Sequence, residues 1–412
     1  MTVRRTFNRD DFIRQSILLP AILFAAISCS TPPPDLNRID LDEIDEQLLI
    51  LESNVENIHF ENTLKGAEED RIMPRTIDKE GDLVLVQPGD WTSGFFPGVL
   101  WYMYDLTGYG SWMEKALEYT SLMKDQMYNA SNHDVGFRMF CSYGNALRLT
   151  GDTAFIPILV QSAKTLLTRY NDNVGCIRSW DFNQDQWQYP VIIDNMMNLE
   201  LLFWASEQSG DPVYREVAIR HANTTLENHF RPDFSSYHVV DYDTLSGAVR
   251  GKYTHQGFAP NSAWSRGQAW GLYGYTMAYR YTKDPRYLAQ AEGIARFILN
   301  HPRLPKDRIP LWDFDAPRLR KEPRDASAAA IMASAMYELS TYSEDAEYFK
   351  ERADWIMEAL SSEDYRSLKG ENYGFLLDHS TGSLPGDSEV DVPLIYADYY
   401  YLEALERRRS LR

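Results

Sequence analysis

Asp194 opens the stretch "VIIDNMMNLELLFWASEQSGD", Val191 to Asp211, with Ile192, Ile193, Met196 and Met197 as its neighbours. The stretch is apolar on almost every side, the pattern of an interior helix. A carboxylate at the mouth of such a helix either caps it or is a chemical group held away from water. Asp134 has a similar setting in "NHDVGFRMF", behind His133 and walled by Phe137 and Phe140. Asp is a favoured N-cap, so capping alone accounts for any single aspartate of this kind, including Asp90, Asp325 and Asp391 at other segment starts. Two carboxylates facing one pocket are also the equipment of glycosidic-bond cleavage. Desolvation raises a buried carboxyl by up to about 3–5 units, more than a helix N-terminus lowers it. Asp194 is therefore expected to hold its proton near neutral pH.

Tryptophans gather around the same segment starts: Trp91, Trp180, Trp187, Trp264, Trp270 and Trp312, six of the ten in the chain. Flat apolar rings with a polar edge suit the C–H faces of sugars, although core packing accounts for such rings equally well. Arg266 sits between Trp264 and Trp270 in "HQGFAPNSAWSRGQAWG". An arginine among aromatics needs an anionic or carbonyl partner, either a carboxylated substrate or an internal salt bridge.

The elements that must position these residues alternate. Apolar inner helices are expected to begin near Trp91, Asp134, Asp194, Trp264, Asp325 and Val392. Amphipathic outer helices are expected over 41–58, 111–128, 152–170, 212–229, 285–300 and 344–360. The punctuation between them is local: in "GDP" at 210–212 a glycine takes the left-handed position, an aspartate caps and a proline opens the next helix. Six inner and six outer helices suit a closed, all-α double ring better than an open array. The long connections, about 59–89, 171–190, 230–261, 301–323 and 361–390, all lead into inner helices and so share one face. Function concentrates on such loops. Strand-like alternation is confined to 82–86 and 236–241.

The first 28 residues stand apart: four arginines precede "SILLPAILFAAIS", which ends at Cys29. A charged start, a short apolar centre and small residues before a cleavage point make an export signal. "AAISC" resembles a bacterial lipoprotein signal, which implies a lipidated Cys29 as the first mature residue, anchoring the protein in the cell envelope. Residues 29–40 then form a Pro-rich acidic tether, and 41–412 a single catalytic domain. With 60 acidic against 41 basic residues, net −19, the chain is a poor nucleic-acid ligand. No CxxC, HExxH or His cluster suggests a metal, and no phosphate loop suggests a nucleotide, so no cofactor is expected. The oligomeric state is not legible.

The segments "WTSGFFPGVLW", "HDVGF", "IIDNMMNLELLFWAS", "SSYHVV", "THQGF", "SAWSRGQAWGLYG", "PLWDF" and "DASAAAI" resemble glycoside hydrolase family 88, the unsaturated glucuronyl hydrolases, in consistent order from about 85 to 405. That resemblance implies an (α/α)6 barrel. It also implies that Asp194 is the general acid/base, Asp134 the second catalytic carboxylate, and His133, Gln256, Trp264, Arg266 and Trp270 substrate contacts. Trp91, Trp180, Thr254 and His255 are their implied neighbours. The implied substrate is an oligosaccharide ending in a 4,5-unsaturated uronic acid, split by hydration of its C4=C5 vinyl ether. Two other readings stand beside it: an unsaturated rhamnogalacturonyl hydrolase of the same fold, and a glycan-binding surface lipoprotein without catalysis.

Overall fold

The computed structural model describes Met1 and residues 39–66, 71–318 and 321–411; Cys29, the export signal and most of the tether lie outside the described residues. Among the described residues twelve helical segments alternate as outer and inner layers. The outer helices are Leu41–Leu64, Gly110–Leu122, Ile156–Leu167, Pro212–Asn228, Pro285–Asn300 and Ala346–Leu360. The inner ones are Phe95–Thr107, residues 135–150, Asn195–Ser209, Ser265–Thr282, Ala326–Ser340 and Ile395–Ser410. The inner helix at 135–150 widens into a π turn over Phe140–Gly144. Each inner helix packs on the next, and Ile395–Ser410 packs back on Phe95–Thr107, which closes the ring. The result is an (α/α)6 barrel.

The sequence explains the layering. Ala326–Ser340 reads "ASAAAIMASAMYELS" and is buried along almost its whole length, because small side chains let it sit between two other inner helices. Pro285–Asn300 buries one stripe, with Tyr287, Ala291, Ile294 and Ile298 at helical spacing. Local chemistry ends the elements as expected. Gly210 takes φ 72° and its N–H reaches the Ser206 carbonyl, Asp211 accepts from the Val213 N–H, and Pro212 opens the next helix.

Strands are more numerous than the alternation suggested, though all are short. Leu83–Val86 pairs with Met73–Ile77, and Val239–Tyr242 lies between Pro190–Ile192 and Val249–Tyr253. Ser380–Ser383 and Ser388–Val392 form a further hairpin. Two- to five-residue strands leave too little alternation to read from sequence. They nonetheless matter most for the site, because they lie in the long connections at one end of the barrel.

Candidate active site

Strand register sets the centre of the site. Ile192 pairs with Val239 in the three-stranded sheet, and one step further the Ile193 N–H donates to the His238 carbonyl at 3.1 Å. The next residue, Asp194, starts the inner helix Asn195–Ser209. Its side chain makes no cap hydrogen bond, nor does that of Asp134 at the head of 135–150. Asp325 does cap, accepting from the Ala328 N–H at 3.2 Å. Of the three, the two that leave their helices uncapped are the two that line a common cavity. The capping account thus holds for Asp325 and fails for Asp134 and Asp194.

The two helix mouths are held together by a close approach. A Cβ on Gly136 would lie 2.7 Å from the Cα of Asn198, while the Asn198 side-chain oxygen accepts from the Phe137 N–H at 3.1 Å. Only glycine permits that spacing. The cavity above this contact has a volume of about 220 Å³, below the roughly 300–1,000 Å³ that encloses a drug-sized ligand, which suits one sugar ring inside with the rest of a chain outside. A larger void of about 410 Å³ occupies another part of the barrel, but its charged groups satisfy one another, as Arg280 with Glu200 and Arg407 with Glu403.

Electrostatics single out Asp194, 9% exposed. Burial pushes its carboxyl up to about 7, nearby Arg266 pulls it down, and Asp134 adds a smaller upward push. Nε2 of His238 stands 3.7 Å from its Oδ2. The His238 Nδ1 accepts the backbone N–H groups of His255 and Gln256, both at 3.1 Å, which places the ring proton on Nε2. Burial also drives the His238 pKa well below its usual value, so the ring faces Asp194 as a neutral donor. Nε2 of His133 lies 3.4 Å from Oδ1 of Asp134.

Eight expected site residues line the cavity: Asp134, Asp194, His133, Trp91, Trp180, His255, Gln256 and Arg266. Three do not. Trp264 is 3% exposed and packs against His238 at 4.6 Å. Trp270 is buried beneath Phe137, at 5.2 Å. Thr254 uses its hydroxyl to accept the Gly257 N–H in a turn. The core explanation also holds for Trp187, and Trp312 donates its indole N–H to Glu322. Composition cannot separate a pocket ring from the ring packed behind it. Arg266 makes the internal salt bridge, a buried ion pair with Asp325 at 3.0 Å, and also borders the cavity.

Several residues in the wall or just behind it escaped sequence reasoning. His238 lay within "SSYHVV", and only its register with Ile193 exposes its place. Phe182 stacks flat on Trp180 at 4.8 Å and is 48% exposed at the cavity. Arg75 and Glu389 form a bidentate pair at the rim, and Tyr396 closes the wall beside Trp91, at 5.0 Å. Among the described residues no group of His, Cys, Asp and Glu could hold a metal ion.

A closed double ring of helices that presents two uncapped carboxylates and aromatic walls in a sugar-sized cavity defines a carbohydrate-cleaving barrel. The chain belongs to glycosyl hydrolase family 88, whose profile matches residues 68–274. It is 48% identical to an unsaturated glucuronyl hydrolase of Formosa agariphila, over 96% of this chain and 98% of that protein. It is 35% identical to one from a Bacillus species, over 81% and 90%. Among solved structures it is similar to an unsaturated glucuronyl hydrolase specific for heparin, with 47% identity, a TM-score of 0.84, and coverage of 90% of this chain and 97% of that one. The Bacillus sp. GL1 enzyme responsible for the degradation of glycosaminoglycan gives 31% identity and a TM-score of 0.79, over 89% and 96%.

Proposed function

We propose that the chain releases a 4,5-unsaturated uronic acid from the non-reducing end of lyase-generated oligosaccharides, with Asp194 as proton donor and Asp134 as the second carboxylate. The observation that carries this reading is the Asp194 carboxyl itself: buried, uncapped, facing the cavity, and raised to about 7. The C4=C5 bond of such a uronide is an enol ether. Asp194 gives its proton to C4, leaving positive charge shared by C5 and the ring oxygen. Water adds at C5 and returns a proton to Asp194. The resulting hemiketal opens by breaking the bond between C5 and the ring oxygen, giving a C5 ketone and leaving that oxygen on C1 as a hydroxyl. The C1 hemiacetal collapses to an aldehyde and expels the next sugar. One water is consumed, and no nucleophile attacks C1.

Asp134 stands in the same wall and disfavours ionisation of its neighbour. Trp91 and Trp180 offer faces to the sugar, and Gln256 is fixed by donating to the Gly382 carbonyl at 3.2 Å. The test is a panel of unsaturated disaccharides from glycosaminoglycan and pectin lyases, followed by loss of ultraviolet absorbance. Turnover of glucuronyl disaccharides that vanishes in Asp194→Asn supports the reading. Binding without turnover contradicts it.

Residues 1–29 support a second proposal, that the protein is exported and anchored through an acylated Cys29. One acyl chain binds membranes marginally, so stable anchoring draws on more than one chain. Cys29→Ser should release the protein from the membrane fraction. Continued association of that variant contradicts the anchor.

A further inference from the structure

A uronide brings a carboxylate on C5 into the cavity, and a buried carboxylate needs donors. Arg266 supplies charge, but three of its N–H contacts are already made: Nη1 with Asp325 and the Thr381 carbonyl, Nη2 with the Gly382 carbonyl. A guanidinium has five N–H groups and a carboxylate about four lone-pair sites, so Arg266 alone leaves the anion short of donors. Arg75, the other guanidinium of the wall, is held by Glu389 and Asp90.

Tyr396 differs from both. It lies in the first turn of the last inner helix, is wholly buried and forms part of the cavity wall. Its hydroxyl has no hydrogen-bond partner among the described residues. Buried hydroxyls are rarely left so, and each exception calls for an explanation. The Arg266 guanidinium lies 5.4 Å from its ring centroid and Trp91 5.0 Å from it. The unpaired ring nitrogens of the site, His133 Nδ1, Trp180 Nε1 and His238 Nε2, belong to residues around the two aspartates. His133 lies against Asp134, and Trp180 packs at 6.4 Å on His238, which faces Asp194. Tyr396 is thus an unpaired donor on the Arg266 side of the cavity.

We propose that the Tyr396 hydroxyl donates a hydrogen bond to the C5 carboxylate of the substrate, completing an anion site for which Arg266 provides the charge. The inference rests on the uronide reading above. It makes Tyr396 a binding residue, with no part in proton transfer.

Tyr396→Phe removes the hydroxyl and keeps the ring. Steady-state kinetics should show KM for an unsaturated disaccharide raised at least about tenfold, the usual yield of a hydrogen bond to a charged group. The kcat should stay within about threefold, and Tm should hold or rise, because an unpaired buried hydroxyl is lost. On the corresponding uronamide, whose carbonyl is a neutral acceptor, the difference between wild type and variant should shrink to about two- to fivefold. An unchanged KM overturns the proposal, as does equal loss on uronate and uronamide. A fall in Tm with parallel loss of kcat and KM would assign the hydroxyl a structural role instead. Absence of wild-type turnover overturns the uronide reading, and this inference with it.

Discussion

Nε2 of His238 lies 3.7 Å from Oδ2 of Asp194, and neither atom has a hydrogen-bond partner among the described residues. The separation is too long for a hydrogen bond and short enough to become one when a substrate tightens the site. Because His238 presents an N–H, it favours the ionised carboxylate, the form that Asp194 takes after giving up its proton.

His238→Phe should therefore raise the Asp194 pKa further and lower kcat, since the carboxylate loses its donor. The alkaline limb of the pH–rate profile reads the first effect, and it should move upward. A limb that stays in place, with kcat intact, would reduce His238 to a packing residue.

The pH dependence of the wild type follows from Asp194 alone. Its carboxyl sits at about 7, far above its ordinary value of 3.8. As a proton donor it is competent below that value, so kcat/KM should fall as pH rises through about 7. Stability runs in the same sense: the folded state holds the proton more tightly, so its advantage is complete below about pH 4 and is lost as pH rises towards 7. Asp194→Asn removes the ionisation, so its Tm should match wild type near pH 4 and exceed it near pH 8. Calorimetry at the two pH values checks this, and a constant difference would contradict it.

Arg266→Ala should cost both stability and turnover. It strands Asp325, wholly buried and paired to Arg266 at 3.0 Å. Removing one partner of a buried pair costs roughly 3–5 kcal/mol. Asp325→Asn in the same background should recover part of that loss in denaturant titrations, because the uncompensated charge is gone while the cap to Ala328 remains possible. No recovery would show that the Arg266 contacts to Thr381 and Gly382 carry the effect.

Gly136→Ala should impair activity without touching a reacting group. The added methyl meets the backbone of Asn198 and must push two inner helices apart, just below Asp134 and Asp194. Overpacking of this kind costs typically 1–3 kcal/mol. A variant with unchanged Tm and kcat would mean that the helix mouths tolerate separation.

The barrel was legible because its signals are local. The stop at Gly210, the cap at Asp211 and the stripe Tyr287–Ile298 each need only a few neighbouring residues. Asp134 and Asp194 were legible for a similar reason, since an acid against an apolar run is visible in one line of sequence. Tyr396, Arg75 and Glu389 were not, because the cavity joins the strand of Arg75 to the hairpin of Glu389 and the helix of Tyr396 more than three hundred residues later. That hairpin also holds Asp387, Glu389 and Asp391 at positive φ, and no alternation announces such a backbone. Trp264 and Trp270 lie just behind the cavity wall, against His238 and Phe137. Their aromatic neighbourhood marked the site correctly, but depth within it depends on packing that sequence does not display.

The most direct test of the central claim is the position of isotopic label in the product. Wild-type enzyme is given one unsaturated disaccharide in deuterated, oxygen-18 water, and early product is analysed by mass spectrometry before carbonyl exchange. Protonation by Asp194 and hydration predict deuterium at C4 with the first-incorporated oxygen at C5, and no cleavage of the saturated analogue. Oxygen-18 at C1 without deuterium at C4, or efficient cleavage of the saturated glucuronide, would contradict the account.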